Sequence, residues 1–391
     1  MTDSVCITQY DMSLCTGCMA CMDICPVKAI SEGFTEDGFR LPKVCEEQCI
    51  KCGKCTSVCN LKTDRKKIIP QVVYRMAAKD DQIRLQCSSG GVFALLSEKI
   101  IHKGGIVIGA VFDANCKDVC HMTSEECSLE ALCRSKYVQS NTIGIYQKTR
   151  QLLKANRSVL FCGTPCQIRA LHSYLRKEEY TGTLVTIDFM CHGVPATMEF
   201  KDFIREREQK EKSPVVNVTF REKDNGWRKQ VIKVYHRNGK IWEKKSYYYY
   251  YYYFFLKNYA LRDSCYLCKE YHAHTADISL ADDWAGREND DLGTSRVFIN
   301  TPLGQSTIEM IMDEVISSDI TSDALLMMEI YSHSGYDYGK KQLWKTALQT
   351  GGYDKIKRTF FVRESAIPII REKSWEAVSA IKNIYKDIRG K

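Results

Sequence analysis

The sequence predicts an α+β protein: a small cysteine-rich module over 1–66, a mixed α/β domain over 67–330 and a helical segment over 331–391. Three observations lead there. Two four-cysteine runs fall early in the chain, strands and helices then alternate from about residue 72, and Trp375, Val378, Ile381, Ile384 and Ile388 recur at helical spacing near the end.

The first run is Cys15, Cys18, Cys21 and Cys25, followed by Pro26; the second is Cys49, Cys52, Cys55 and Cys59. Both have the spacing Cys-x2-Cys-x2-Cys-x3-Cys, the ligand run of ferredoxins with two 4Fe-4S clusters. The x2 spacings let three thiolates converge on one cube, while the fourth cysteine is carried toward its neighbour. The expected ligand sets therefore interleave: Cys15, Cys18, Cys21 and Cys59 on one cluster, Cys49, Cys52, Cys55 and Cys25 on the other. A pair of zinc knuckles is the alternative for Cys-x2-Cys, but the doubled four-cysteine run and Pro26 favour iron-sulfur. The second run departs from the pattern by ending in Cys59-Asn60 instead of Cys-Pro. Between the runs, Gly33 to Leu41 with its Asp37-Gly38 pair reads as a hairpin.

The composition, 391 residues with 44% hydrophobic and 27% charged, is that of a globular chain large enough for two or three domains. Twenty cysteines at cofactor spacing, without a signal-peptide pattern at the start, favour a reducing, cytoplasmic setting over a disulfide framework. No apolar run is long enough for a membrane span. The net charge of +8 is spread along the chain apart from Lys62 to Lys67, and without a recognition motif no nucleic-acid binding is expected. Phosphorylated cofactors or an acidic electron-transfer protein account better for the sign.

After a basic connection ending at Pro70, Val72–Ala78 reads as a strand. Ser88, Ser89, Gly90 and Gly91 then open a helix, a turn that suits phosphate or serves as an ordinary serine-capped start. Gly104–Phe112 reads as a buried strand, Ser128–Arg134 as a short helix running into Ser135, Lys136 and Tyr137, and about 143–155 as an amphipathic helix. The strand Ser158–Gly163 delivers Gly163, Thr164, Pro165 and Cys166; the strand Leu184–Met190 delivers Cys191 and His192. These residues fall at carboxyl ends of strands, where open α/β sheets place ligands. From 214 to about 245 the pattern becomes antiparallel, with turns at Asn225-Gly226 and Asn238-Gly239. Tyr247 to Tyr253 cannot all face one partner from a helix, so most should be packing or surface. Beyond Asn300 the chain reads as helical.

Cys265 and Cys268 form a lone Cys-x2-Cys that needs two further ligands. Cys166 and Cys191 would complete a four-thiolate site; His272 and His274 would complete a zinc site instead. The other eight cysteines, Cys6, Cys45, Cys87, Cys116, Cys120, Cys127, Cys133 and Cys162, lack ligand spacing and read as buried thiols.

Taken together, Ser89-Gly90-Gly91, Ser135-Lys136-Tyr137, Gly163-Thr164-Pro165-Cys166-Gln167, Cys191-His192-Gly193-Val194-Pro195, Phe220 to Lys223 with Gly226-Trp227, Cys265-x2-Cys268, and Asp282 with Trp284 resemble the coenzyme F(420) hydrogenase/dehydrogenase beta-subunit family with a fused ferredoxin module. The resemblance implies an FAD-binding α/β domain with a further 4Fe-4S cluster on Cys166, Cys191, Cys265 and Cys268. It makes Ser88–Gly91, Ser135–Tyr137, Gly163 and Thr164 flavin-site candidates. His192 is the candidate proton donor, from its titration range and position. The expected activity is an oxidoreductase passing electrons between clusters and a flavin that exchanges hydride with a carrier or small-molecule substrate. A ferredoxin or partner oxidoreductase would give or take the single electrons. A non-catalytic electron-transfer protein and a zinc-stabilised scaffold are the rivals. The sequence departs from the family at Ala281-Asp282-Asp283-Trp284-Ala285, where glycines usually flank the motif.

Overall fold

The computed structural model describes residues 6–61, 69–245, 248–268, 274–284, 290–322 and 337–361. The basic run Lys62–Lys67 with the expected boundary at 66/67, Tyr247, His272, Ala285 and the helical pattern Trp375–Ile388 lie outside them.

The N-terminal module is a hairpin of β1 (Ile30–Phe34) and β2 (Arg40–Val44) flanked by two one-turn helices, α1 (Ala20–Asp23) and α2 (Lys54–Ser57). The Asp37-Gly38 turn is where the sequence predicts it: Gly38 N donates to Thr35 O at 2.9 Å, and Thr35 N to Phe39 O at 2.8 Å. Each cysteine run thus crosses a helical turn, and the hairpin separates the two runs.

The main body is an eight-stranded mixed sheet. Its strands are β3 (Val72–Ala78), β4 (Ile106–Phe112), β5 (Val119–Thr123), β6 (Val159–Cys162), β7 (Leu184–Phe189), β11 (Ile278–Asp282), β12 (Ser295–Ile299) and β13 (Val315–Asp319), in the order β13-β3-β12-β11-β7-β6-β4-β5. The central four, β11, β7, β6 and β4, are parallel. Alternating side chains go to opposite faces. Val107 and Leu160 meet α4 (Val92–His102) and α11 (Pro302–Glu309) in one apolar layer; Ile106, Ile108, Val159 and Phe161 meet α6 (Ile145–Lys154) and α7 (Pro165–Leu175) in the other. Ala20 and Val58 of the cysteine module join this second layer, so the module is packed into the body.

A second core surrounds the antiparallel sheet β10-β9-β8, made of β8 (Val215–Glu222), β9 (Val231–His236) and β10 (Ile241–Lys245). Against it lie α8 (Thr197–Glu211), α9 (Tyr250–Leu256) and α12 (Tyr338–Ile356). The remaining short helices are α3 (Asp81–Gln86), α5 (Leu129–Leu132) and α10 (Asp263–Tyr266).

Two expectations change and a third is narrowed. The chain beyond Asn300 is not wholly helical, because β13 adds an edge strand with only Val315 buried, too little alternation to register in the sequence. β5 likewise closes the other edge where no strand was expected. The tyrosine run resolves to packing: every residue from Tyr249 to Phe255 is buried. A helix apolar all round is a core helix. Two of its polar tips are provided for: Tyr251 donates to the Tyr137 carbonyl at 2.6 Å and Tyr252 to Gln230 Oε1 at 2.7 Å. No helix among the described residues is long and apolar enough to cross a membrane.

Lys341 of α12, fully buried, reaches the hairpin and pairs with Asp37 at 3.0 Å; its ammonium also lies 4.7 Å from the Trp344 ring centre. Burial pushes the Asp37 carboxyl up, but Lys341 and Thr35 bring it below its ordinary value. Asp37→Ala should therefore strand a buried ammonium and lower stability by ~3–5 kcal/mol. A thermal melt of that variant beside an Asp37→Leu/Lys341→Met double variant checks this, with most of the loss recovered in the double.

Candidate functional site

The thiols gather in three places. Cys25, Cys49, Cys52 and Cys55 line one cavity of about 370 Å³ empty volume, and Cys15, Cys18, Cys21 and Cys59 line a second of about 420 Å³. These are the two interleaved sets that the spacing suggests. Positive φ at Met19 (56°), Gly17 (65°) and Gly53 (71°) turns the chain around the cavities. Cys6, which has no ligand spacing, also lines the first cavity, together with Cys49 and Cys55. Nothing in the sequence marks it as a neighbour, because it stands outside both runs.

Cys166, Cys191, Cys265 and Cys268 form the third place. Cys166 begins α7, Cys191 follows β7, and Cys265 sits on α10, with Cys268 N donating to Cys265 O at 3.3 Å. A Cβ on Gly193 would lie 3.3 Å from the Cys265 Cβ, which shows how closely the loop after β7 approaches α10. Burial pushes all three of Cys166, Cys191 and Cys265 up, the last to about 11, and the neighbouring thiolates of the same set push further. His274, the zinc alternative, is instead buried with Nδ1 2.8 Å from Asp188 Oδ1.

The sets are neighbours in a row. Cys21 is perturbed by Cys55 of the first cavity, and Cys166 by Cys18 of the second. Polar side chains pin the row together through backbone carbonyls. Arg262, just before Cys265, donates to Cys15 O at 2.5 Å and to Arg40 O at 2.8 Å. Thr142 donates to Cys18 O at 2.7 Å, and Asn60 to Cys166 O at 3.2 Å and Thr16 Oγ1 at 3.1 Å. The Cys59-Asn60 departure thus has a structural reason: the asparagine amide links the second set to the third, which proline could not do. Among the described residues, no three His, Cys, Asp or Glu side chains are set to hold a single metal ion. The thiols of the first two sets line cavities instead.

The remaining candidates lie along one edge of the large sheet, at the carboxyl ends of β3, β6, β7 and β11 and the start of β12. Ser89 Oγ donates to Thr294 O at 2.8 Å, and Gly90 N to Ser295 Oγ at 3.0 Å. A Cβ on Gly90 would sit 2.4 Å from Met76 O, so glycine is required there by close packing of the turn. Ser88 Oγ accepts from Ser135 N at 2.8 Å, which joins the first candidate segment to the second. Lys136 Nζ donates to Cys133 O at 2.6 Å, and burial lowers its pKa to about 8, with Cys133 and Cys162 opposing. That places it beside the β6 end that leads to Gly163 and Thr164. Thr164 N-caps α7 in a reciprocal capping box with Gln167, and its Oγ1 is 3.1 Å from Cys166 Sγ. Tyr137 packs edge-on against Tyr252 and Phe220 in the second core. His192 Nε2 lies 3.2 Å from the Phe255 carbonyl, and burial lowers its pKa.

Lys223, Trp227 and Asp282 have no role that the sequence alone assigns, and the structure supplies their contacts. Lys223 Nζ reaches three carbonyls, Arg84 O at 2.5 Å, Leu292 O at 2.6 Å and Ser89 O at 2.9 Å. Trp227 donates to Ser88 O at 2.9 Å and stacks on Trp284 with ring centres 4.4 Å apart. Asp282 pairs with Arg221 at 2.6 Å, while buried Asp283 holds Arg296 at 2.7 Å and also Arg75. The missing glycine before Asp282 needs no special turn, because Ala281 is an ordinary strand residue opposite Arg296.

Lys223→Met should leave three carbonyls without their donor, at about 1–3 kcal/mol for each that water cannot reach. The expected result is a lowered thermal midpoint and faster amide exchange at 84–89 and 290–294, read by hydrogen-exchange mass spectrometry.

Parts of the chain match known proteins. Residues 156–322 match the family model for the carboxyl-terminal part of the coenzyme F420 hydrogenase/dehydrogenase beta chain, and residues 8–31 match the 4Fe-4S binding domain. One component of the F(420)H(2) dehydrogenase of Methanosarcina mazei is 23% identical over 331 residues, 79% of this chain and 85% of the relative. A chain of the F420-reducing [NiFe] hydrogenase complex from Methanosarcina barkeri, solved with xenon, aligns with a TM-score of 0.47 at 16% identity, covering 73% of this chain and 94% of that one. The chain thus carries, over residues 156–322, the carboxyl-terminal domain of the coenzyme F420 hydrogenase/dehydrogenase beta subunit, and over residues 8–31 a 4Fe-4S binding domain.

Proposed function

We propose that the chain is an iron-sulfur flavoprotein that relays electrons through three 4Fe-4S clusters to an FAD, which exchanges hydride with a carrier. The ligand sets are Cys25, Cys49, Cys52 and Cys55; Cys15, Cys18, Cys21 and Cys59; and Cys166, Cys191, Cys265 and Cys268. The observation that carries the reading is the row itself, in which Cys55 neighbours Cys21 and Cys18 neighbours Cys166.

The donor chemistry fits. Burial and the neighbouring Cys15 and Cys59 push Cys18 up to about 12, so four thiolates can coexist there only around a positive core. Cavities ringed by thiols suit a cube better than the single point that zinc requires. A cluster carries one electron at a time, and a flavin converts two such electrons into a hydride. The chain's part is to seat the sets side by side and keep water from them.

For the flavin, Ser88–Gly91, Ser135–Tyr137, Gly163 and Thr164 are the proposed contacts, on segments that the Ser88–Ser135 hydrogen bond and Lys136 draw together. The Lys136 ammonium would face a phosphate, protonated below about pH 8. His192, beside Cys191, is the proposed proton donor to the reduced carrier. The names of the relatives make a deazaflavin the first carrier to test, and the fused module suits a soluble ferredoxin or a partner oxidoreductase at its surface.

An anaerobic preparation analysed for iron, acid-labile sulfide and released flavin tests this. The parent should carry about twelve irons, and Cys166→Ser and Cys265→Ser should each lose about four while the ferredoxin-module signal persists. Unchanged iron in both variants sinks the third cluster; absence of flavin in the parent sinks the hydride step.

A further inference from the structure

The three thiol sets stand in a row, and they differ in what covers them. Of the twelve cysteines in the sets, Cys52 alone is exposed; Cys21 is buried and the others are partly covered. The middle set is closed in by Arg262, Thr142 and Asn60, whose donors reach Cys15 O, Cys18 O and Thr16 Oγ1. The row therefore opens to the surface at the Cys25, Cys49, Cys52 and Cys55 end.

Around that opening the surface is apolar and basic. Ile50 is 61% exposed and Val27 40%, and both line the cavity beside the exposed thiol. Lys51 and Lys54, also exposed, line the same cavity, and no carboxylate does. Neither ammonium has an ion-pair partner among the described residues, whereas Lys148, Lys210 and Lys240 each pair with a glutamate. Glu46 and Glu47 are exposed on the connection before Cys49 but stand outside the lining.

We infer that, with the clusters proposed above in place, the face made by Val27, Ile50, Lys51, Cys52 and Lys54 docks a small acidic protein that carries a one-electron centre. Electron-transfer encounters use small interfaces, so a contact of this extent suffices. Ile50 and Val27 form the apolar centre that lets the partner approach Cys52, and the two lysines form a rim that attracts negative charge and speeds encounter. A basic partner would meet like charge at that rim, as would a second copy of this chain with its net charge of +8. Each encounter moves one electron. The partner's centre is oxidised by one and the cluster on this set reduced by one, or the reverse, with no bond made and no proton moved. Two successive encounters supply the two electrons of one hydride.

The test uses the full chain, handled without oxygen, with an acidic plant-type 2Fe-2S ferredoxin as the probe. Binding of the oxidised probe and the rate at which the reduced probe passes on its electron are measured at low and high salt, and iron and sulfide are determined on the same samples. In the parent, affinity and rate should both fall steeply as salt rises. Lys51→Glu/Lys54→Glu should lower both at low salt by about tenfold or more, flatten the salt dependence and leave the iron content unchanged. Lys177→Glu/Lys244→Glu, the same change of charge at exposed positions elsewhere on the chain, should cost no more than about threefold. Ile50→Ser should weaken binding at every salt concentration. An iron-loaded parent in which Lys51→Glu/Lys54→Glu costs no more than the control pair would overturn the docking face and leave the clusters standing, whereas a parent without iron would overturn both. A dimer in sedimentation that Ile50→Ser breaks up would assign the face to a second copy and overturn the acidic partner.

Discussion

The arrangement depends on main-chain carbonyls of the cysteine module being held by side chains of the large domain. Arg262, Thr142 and Gln139 all donate to carbonyls of the Cys15–Cys18 loop, and Arg262 is 3% exposed. A buried guanidinium with carbonyl and amide partners is costly to undo, because leaving it unpaired exposes the full desolvation penalty. The contact is also directional. Arg262 lies on the same short segment as Cys265, so whatever seats the module also sets its distance from the third thiol set. A cysteine module on a flexible tether could change its position; one seated through its own Cys15–Cys18 loop is held against this body.

The same economy of position runs through the sheet edge. Parallel strands bring their carboxyl ends to one side, so β6 and β7 deliver Cys166 and Cys191 to neighbouring loops, while β3 and β11 deliver the Ser88 turn and the Asp282–Trp284 segment. Buried charge is balanced there pair by pair: Asp283, fully buried, faces both Arg75 and Arg296, and Arg221 faces Asp282. Such pairs contribute little net stability over apolar packing, but they fix a loop in one arrangement.

What can be read from the sequence is whatever a short spacing encodes. The two Cys-x2-Cys-x2-Cys-x3-Cys runs declare themselves because three cysteines of each lie within about two helical turns, with the fourth exchanged between runs by the known spacing rule, and Asp37-Gly38 declares its hairpin because a turn is local. The third thiol set is legible only as a lone Cys265-x2-Cys268 in search of partners, since Cys166 and Cys191 come from strand ends that only the sheet order makes adjacent. Cys6 beside Cys49 carries no local signal at all. β13 escapes notice because an edge strand with one buried residue lacks the alternation that marks a strand. The tyrosine run reads as packing or surface, and only the fold decides for packing, with the Tyr137 carbonyl and the Gln230 amide oxygen accepting from Tyr251 and Tyr252.

Two departures from the expected motifs show how a family pattern can change without loss of its geometry. Proline after the last ligand of a cysteine run constrains the chain by its ring; Asn60 constrains it by two hydrogen bonds, and one of these reaches the Cys166 carbonyl. A glycine before the Asp-x-Trp segment permits an unusual turn, but Ala281 sits in regular pairing with Arg296, and the carboxylates that follow are held by three arginines. In both places a backbone restriction has been replaced by a side-chain bond to a distant segment. Such a bond holds only while the partner segment is in place, so this chain's local shape at Asn60 and Ala281 is tied to the docking of the module and the sheet edge as one unit.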